Sequence, residues 1–202
     1  MRIGPKYKIA RRLGAPIFEK TQTQKFALNS EKKGKTRGFS KGKTEYGIQL
    51  NEKQKARLTY GMTERQFSNY VKEAILRKGS APQFIFEFLE TRLDNIVYRL
   101  SLSPTRQGSR QMVSHGHIKV NGKRVNIPSM RLRVGDKVEI NDRSVGKPLF
   151  ANFDERFKNI TIPSWLIFDN NKRSATVQGM PIYVKNENNF DLNTVIELYS
   201  RS

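Results

Sequence analysis

The chain contains no cysteine, only two histidines, and 18 acidic residues against 38 basic ones. Without thiols, neither a disulfide nor a thiolate zinc site can form, and two histidines alone do not complete a typical tetrahedral zinc site. We therefore expect no metal and no cofactor. The sequence also lacks a run of about 18 apolar residues that could span a membrane, and it lacks the apolar stretch of a secretory signal. These absences predict a soluble, intracellular protein.

Catalytic signatures are missing as well. There is no phosphate-binding glycine motif, no His-Glu-x-x-His pair and no triad. His115 and His117 flank one glycine at a predicted helix end, where capping or phosphate contact is more typical than metal binding. Asp94 lies in an apolar helical stretch and is either a general acid or, more simply, paired with Arg92, Arg99 or a backbone donor, because an unpaired buried carboxylate is costly. We predict that the chain is not an enzyme.

Positive charge is abundant and unevenly distributed. The formal net charge is +20 over 202 residues, and only 36% of the residues are hydrophobic, which is low for a self-sufficient globule. Residues 1–50 carry a net charge of +10 and residues 101–150 carry +7, whereas residues 151–202 are neutral. Because such an excess opposes compaction, we expect an anionic partner. Nucleic acid is the leading candidate, and an anionic membrane surface is the second.

Helix signals begin in the second quarter of the sequence. Asn51 is a potential cap of a helix that ends at Gly61, and Thr63 caps a second helix that ends at Gly79. A third helical region covers residues 80–100. Together these segments predict a small helical domain.

A basic helix and two hairpins follow. The helix is predicted over residues 105–115, where Arg106 and Arg110 lie on one face. Asn121-Gly122 is a strong signal for a type I′ hairpin, and the alternation of apolar residues around Gly135-Asp136 predicts a second hairpin. We therefore expect a small domain of helices and a sheet.

Seven cations are concentrated on this helix and these hairpins, with few acids between them: Arg106, Arg110, Lys119, Lys123, Arg124, Arg131 and Arg133. No aromatic residues are interleaved with them, so recognition should depend on phosphates and on the shape of folded RNA rather than on base stacking. A membrane-surface helix would need a broad apolar face, and this one has only Met112 and Val113. We predict that Arg106 and Arg110 are exposed, and that replacing both with Ala weakens RNA binding without affecting the fold.

The two ends of the sequence are expected to behave differently. Residues 20–45 have too few apolar side chains to offset the entropy of ordering, so they are either a solvated tail or a basic arm that folds on RNA. Residues 142–160 are predicted to be a linker helix, followed by a strand near Trp165 and a helix that contains Tyr199. We predict that these two aromatic residues hold the C-terminal tail against the helices of residues 51–90.

The segment from Glu90 to Ile140 resembles the RNA-binding module named after ribosomal protein S4, on the evidence of His115-Gly116-His117 and Val120-Asn121-Gly122. Motifs outside this segment, including Tyr46-Gly47, Tyr60-Gly61 and Glu197-Leu198-Tyr199, are also similar to the ribosomal protein S4 family. The likeness covers residues 1–19 and 44–202.

The resemblance implies an α+β fold in which the N- and C-terminal parts form one helical domain, with a small helix-helix-sheet RNA-binding module inserted between them. The implied domains are a basic N-terminal arm over residues 1–43, a helical domain over residues 44–90 plus 156–202, and the module over residues 91–155. Many family members begin a zinc knuckle with two cysteines. Tyr7 and Ala10 occupy those positions here, so the sequence is similar to the cysteine-free branch.

The resemblance also implies a function. Family members are structural constituents of the small ribosomal subunit that bind the 5′ domain of its RNA at a multi-helix junction and nucleate assembly. They contribute to translational accuracy and to the messenger entry channel. Ribosomal protein S5 is the implied neighbour and messenger RNA a further partner, whereas no membrane or small-molecule substrate is implied. The implied location is the cytoplasmic ribosome, with a plastid or other organellar ribosome as the alternative.

The family likeness extends the predicted RNA contacts beyond the seven cations. The added residues are Lys6, Lys8, Arg11, Arg12, Tyr46, Gln49, Lys53, Lys55, Arg65, Gln66, Asn69, His115, His117 and Asn121. Residues 37–43 depart from the Pro-Gly-Gln-His-Gly sequence that is usual in the family, so a messenger-entry role for Lys41 and Lys43 is supported by their charge alone.

Two other classes carry the same module. Pseudouridine synthases add a catalytic domain, and the residues that follow the module here are too few to form one. Free module proteins, such as ribosome rescue factors, lack the helical domain and the matching C-terminal tail.

Overall fold

The computed structural model describes residues 3–28, 44–150, 162–169 and 174–200. The chain divides into two compact units: residues 1–85 with 183–202, and residues 86–182. Helices and an antiparallel sheet are both present, which confirms the α+β prediction and the insertion of one unit between two parts of the other. The second unit extends to residue 182, beyond the expected module boundary at residue 155. None of the helices in the described ranges is long and apolar enough to cross a bilayer.

The first unit is helical in its described residues. Helix α1 spans Lys6–Leu13, α2 spans Glu45–Thr59 and α3 spans Glu64–Leu76. Helix α4, Ala81–Glu90, contains the boundary between the units, and α7, Leu192–Ser200, completes the first unit.

The helix caps explain where α2 and α3 begin. The Thr63 hydroxyl accepts a hydrogen bond from the Gln66 N–H at 3.4 Å, so the predicted cap of α3 is confirmed. The predicted cap at Asn51 is wrong, because α2 begins six residues earlier. Thr44 caps it by accepting from the Gly47 N–H at 3.2 Å.

The N-terminal residues of the first unit share a small apolar core. Ala10 and Leu13 of α1 pack with Ile17, Phe18 and Leu58, all of which are buried. Residues 3–18 therefore contact α2 through apolar side chains, although they lie in the region expected to be a basic arm. Their cationic side chains extend from this apolar support.

The described part of the second unit contains two short helices and a sheet. Helix α5 spans Leu93–Arg99, and α6 spans Arg106–Ser114 with Thr105 as its cap. Strand β1, Ile118–Val120, pairs with β2, Lys123–Val125. Asn121 and Gly122 have φ values of 50° and 76°, as a type I′ turn requires. The first hairpin is therefore confirmed.

The second predicted hairpin is wrong. Strand β3, Lys137–Ile140, pairs with β1 on one side and with β5, Ser174–Val177, on the other. The backbone before it is bonded elsewhere, since Leu132 N–H donates to the Thr91 carbonyl and Gly135 N–H to the Val177 carbonyl. Non-local partners therefore replace the local pairing.

The sheet explains why the second unit extends past residue 155. Strand β4, Leu166–Asp169, pairs with β5, and the described strands form an antiparallel sheet in the order β2-β1-β3-β5-β4. Residues 142–150 form short 3-10 turns rather than a helix, and the rest of the predicted linker lies outside the described residues. The prediction for Trp165 is also wrong: its half-buried side chain packs against the core of this sheet and α5–α6.

Candidate nucleic-acid interface

The basic residues of the second unit surround the α6–β1 junction and the β1–β2 hairpin. Asn121 at the turn does not present a free side chain, because its amide donates to Asp136 at 2.8 Å and accepts from the Lys137 N–H at 2.8 Å. These bonds connect the tip of the hairpin to the start of β3. The exposed Lys123 and Arg124 follow directly after this braced turn.

Arg106 and Arg110 are not the exposed cations that the sequence predicts. Arg110 forms an ion pair with the buried Asp94 at 2.8 Å, and its side chain is 26% exposed. Arg106 donates to the Asn95 amide oxygen at 3.0 Å and stacks 4.2 Å from the centre of the Tyr98 ring. Their face of α6 is directed towards these partners, so both residues support the fold.

Asp94 is the centre of a buried polar network. It also accepts two hydrogen bonds from Arg92, whose side chain is 2% exposed. The prediction that Asp94 pairs with Arg92 is confirmed. Arg99 pairs instead with the buried Glu90, at 2.8 Å. Each arginine thus limits the cost of burying a carboxylate, and this network has a structural explanation without acid catalysis.

The other cations of the second unit differ in their contacts with neighbouring side chains and in their exposure. Lys119 forms an ion pair with Asp142, and the exposed Arg131 lies 4.5 Å from the centre of the Phe88 ring. The Lys123, Arg124 and Arg133 side chains are exposed. Residues 91–150 contain 12 Lys and Arg against four Asp and Glu, and all four carboxylates have bonded partners. The described part of this unit therefore presents exposed cations where cations outnumber carboxylates.

The two histidines occupy different environments. His115 is exposed at the end of α6, whereas the half-buried His117 shares a hydrogen bond of 2.9 Å between Nδ1 and the Ser144 hydroxyl. Burial, and then the charges of Lys147, His115 and Arg124, hold the pKa of His117 below its ordinary value of 6.5. In the part of the chain that the structure describes, no group of three His, Asp or Glu residues could hold a metal ion.

Several side chains of the first unit that were predicted to contact RNA interact instead with other residues of the same unit. Gln49 is 2% exposed and donates to Glu197 at 3.4 Å. Lys53 pairs with Glu64 at 2.8 Å, and Lys55 with Glu52 at 2.7 Å. These side chains stabilise α2 and its neighbours rather than forming a free basic surface.

Glu64 connects three elements of the first unit. It accepts from Lys53 of α2 and, at 3.1 Å, from the Tyr199 hydroxyl of α7. Burial acts to raise the pKa of Glu64, but the hydrogen bond and charge of Lys53 outweigh it and lower that pKa overall. Tyr199, for which an interior position was predicted, is half-buried here.

The remaining predicted contacts of the first unit are exposed or partly exposed. The exposed side chains are Lys8, Arg12, Tyr46, Arg65, Gln66 and Asn69, and the partly exposed ones are Lys6 and Arg11. Lys6 lies 5.6 Å from the centre of the Phe18 ring, and Arg11 donates to the Tyr7 carbonyl. Lys41 and Lys43 lie outside the described residues.

Two exposed cations of the second unit were missed from the sequence. Arg143 and Lys147 lie in the turns after β3, in a segment that was predicted to be a linker. The main signal available in the sequence was the excess of cations in residues 101–150, which contain 10 Lys and Arg against three Asp and Glu. Their position becomes clear only when the turn folds back on His117.

The fold and this basic surface define a protein built around an S4-type RNA-binding module. The S4 domain family model matches residues 91–138, and the model described as ribosomal protein S4/S9 N-terminal domain matches residues 1–90. The chain is 40% identical to the small ribosomal subunit protein uS4 of Azotobacter vinelandii, over 98% of both chains. It is 39% identical to that of Heliobacterium modesticaldum and 40% identical to that of Amoebophilus asiaticus, with the same coverage.

The chain belongs to the uS4 family of small ribosomal subunit proteins. This is a family of structural ribosome components and not of enzymes, which agrees with the prediction of a non-catalytic chain. The predicted family is confirmed.

Proposed function

We propose that this protein binds small-subunit ribosomal RNA through the basic surface of its second unit. This proposal is supported by the unequal exposure of the charged side chains on this surface. The four carboxylates of residues 91–150 are all bonded. Five cations are exposed: Lys123, Arg124, Arg133, Arg143 and Lys147. Exposed cations of this kind bind phosphates and release counterions. Because side chains cannot read the deep, narrow major groove of A-form RNA, recognition depends on backbone position and folded shape.

The likeness to uS4 proteins supports a more specific role. We propose that the target is the 5′ domain of the RNA at a multi-helix junction, bound early so that it nucleates assembly of the subunit. Ribosomal protein S5 and the messenger RNA are the further proposed partners, through which the protein contributes to accuracy and to the messenger entry channel. We also propose a location in the cytoplasmic ribosome, in keeping with the similarity to uS4 proteins of Azotobacter vinelandii and Heliobacterium modesticaldum.

Two measurements test this proposal. Tagged protein expressed in bacterial cells should sediment with small subunits, and the purified protein should bind a transcript of the 5′ domain more tightly than a transcript of another domain of equal length. Affinity should fall steeply as salt concentration rises. Equal affinity for the two transcripts would contradict the proposed target, and sedimentation only at the top of the gradient would contradict ribosomal incorporation.

We further propose that the basic arm expected over residues 20–45 becomes ordered on RNA, since it is rich in cations and poor in apolar side chains. Phe26 packs against the core around α1, and Thr44 and Glu45 belong to the start of α2, so the test concerns residues 29–43, which lie outside the described residues. Their amide hydrogens should exchange rapidly in the free protein and more slowly in the assembled subunit. Helix α3, which has a buried apolar face, is the internal reference for slow exchange in both states. Slow exchange of the arm in the free protein would contradict this proposal.

A further inference from the structure

The guanidinium of Arg124 lies directly on Gly116. A Cβ atom added to this glycine would lie 2.1 Å from Arg124 Nε and 2.7 Å from its Cζ. Gly116 also has a φ of 69°, in the region that favours glycine. Arg124 Nη2 donates to the His115 carbonyl at 3.1 Å. A side chain that is mobile on most surfaces is therefore held in one place at the end of α6.

A second set of contacts fastens the turn that carries Lys147 to the same junction. Asn141 donates its amide to the Gly116 carbonyl at 3.0 Å and its backbone N–H to the His117 carbonyl at 2.8 Å. The His117 ring bonds Ser144, whose carbonyl accepts from the Lys147 N–H at 3.1 Å. The backbone of Lys147 is thus connected to the junction through a chain of bonded groups, and its exposed side chain extends from this turn.

The junction gathers positive charge in one place. The cationic groups of Lys147, His115 and Arg124 all lie close enough to His117 to lower its pKa. The centre of the Phe150 ring lies 6.4 Å from that of the His117 ring and covers the apolar side of the junction. The exposed side is therefore suited to an anion.

We propose that Arg124, Lys147 and His115 form a preorganised subsite for one RNA phosphate, with Gly116 and His117 as positioning residues. This inference rests on the proposed function and adds to it a defined contact and the residues that shape it. Preorganisation matters because a fixed guanidinium loses little entropy on forming a bidentate phosphate contact.

A purely structural role for Arg124 is the competing explanation. A cation at the C-terminal end of α6 satisfies a free carbonyl and interacts favourably with the helix dipole. That role predicts reduced stability but no change in RNA affinity for the folded protein. It also gives no function to Lys147, which is why Lys147 provides the more decisive test.

The first experiment compares Lys147→Ala with Lys72→Ala in the full chain. Lys72 is an exposed lysine of α3, so Lys72→Ala removes the same charge as Lys147→Ala. Binding to the 5′-domain transcript is measured over a range of salt concentrations. Lys147→Ala should reduce the steepness of log affinity against log salt by about 0.7–0.9, the value for one phosphate contact. An effect no larger than that of Lys72→Ala overturns the subsite.

The second experiment is a double-mutant cycle for Arg124→Ala and Gly116→Ala. Each single change should weaken binding of the folded protein at least about tenfold, as for lost charge-assisted hydrogen bonds. The glycine acts through the arginine, so Gly116→Ala should have no further effect on affinity once Arg124 is absent. Additive losses would overturn the positioning role of Gly116. Circular dichroism confirms the folded fraction, and Arg124→Ala alone tests the contact if Gly116→Ala does not fold.

The failure of the subsite can be distinguished from the failure of the proposed function. If the unmodified protein shows no preference for the 5′-domain transcript, the proposed target is wrong. If the unmodified protein binds normally and all three variants match the Lys72→Ala control, only the phosphate subsite is wrong.

Discussion

At the scale of single residues, Asp94 is the carboxylate on which two arginines of the second unit converge. Arg92 is as buried as Asp94 itself, whereas Arg110 is partly exposed. This network stabilises the fold only while its buried ion pairs are complete. Removing one partner leaves a buried charge without compensation, which costs far more than the pair contributes relative to apolar residues.

Asp94→Asn should therefore lower the free energy of unfolding by about 3–5 kcal/mol, since the buried Arg92 would lose the carboxylate charge that accepts two of its hydrogen bonds. Asp142→Asn is the matched control: its side chain is 83% exposed and paired with Lys119, so a change of about 0–1 kcal/mol is expected. Urea denaturation measures both variants. Similar values for the two would show that burial of this network contributes little.

Part of this network could be predicted from the sequence. It placed Arg106 and Arg110 on one helix face and required a partner for Asp94, and both statements hold. It could not show that the two requirements meet, because Asp94 and Arg110 come together only through the packing of α5 and α6. The cations were therefore identified correctly, but which of them are exposed was not.

His117 gives a prediction for pH dependence. Burial holds its pKa below 6.5 in the folded protein, so between the two pKa values the unfolded chain binds more protons than the folded chain. Stability should therefore be complete above the unfolded pKa and fall as pH is lowered through it. An NMR titration of the imidazole should give a pKa below 6.5. His117→Gln should remove this part of the pH dependence, and a titration at or above 6.5 would contradict the expected environment.

At the scale of elements, the β1–β2 hairpin depends on its two-residue turn. Gly122 has a φ of 76° and no atom within 4 Å of where a Cβ would lie. An alanine there would have enough space but an unfavourable backbone conformation. The cost of this substitution is thus purely conformational, unlike that at the crowded Gly116.

Gly122→Ala should destabilise the protein by about 1–2 kcal/mol, the cost of the left-handed conformation for an L-residue. Gly146 also has open space around it but no left-handed φ, so Gly146→Ala should leave the stability unchanged or slightly higher. Thermal melts of the two variants provide the comparison. Equal stability of the two would indicate that the turn relaxes to another type.

Turn chemistry explains why one predicted hairpin is confirmed and the other is wrong. Asn121-Gly122 specifies its turn within two residues, and the pairing of β1 with β2 follows locally. The alternation around Gly135 is real, but β3 pairs with β1 and with β5, whose residues lie far along the sequence. A local pattern specifies a strand, whereas distant partners decide its neighbours.

At the scale of the whole molecule, the two aromatic residues near the C-terminus belong to different units. Trp165 packs against the core of the second unit, and Tyr199 bonds Glu64 in the first. The neutral charge of residues 151–202 predicted a scaffold but carried no information about which core each aromatic residue joins. Only the pairing of β4 and β5 with the sheet assigns Trp165.

Trp165→Ala should raise amide exchange mainly in β4 and β5, because it removes an aromatic side chain that covers their core. Tyr199→Phe is the reciprocal variant, and it should raise exchange mainly in α7 and at the start of α3, because it removes the hydrogen bond to Glu64. Mass spectrometry of proteolytic fragments can localise both effects. Increased exchange in α7 caused by Trp165→Ala would contradict the assignment of this residue to the second unit.

The division of the first unit between residues 1–85 and 183–202 has a consequence for synthesis of the chain. Helix α2 packs against α7, which is translated more than 130 residues later. The intervening unit has all its strands available once residue 177 has left the exit tunnel. Domains generally fold as units during translation, so here the middle of the polypeptide can mature first. The N-terminal helices must wait for the last segment before their apolar surface is fully covered.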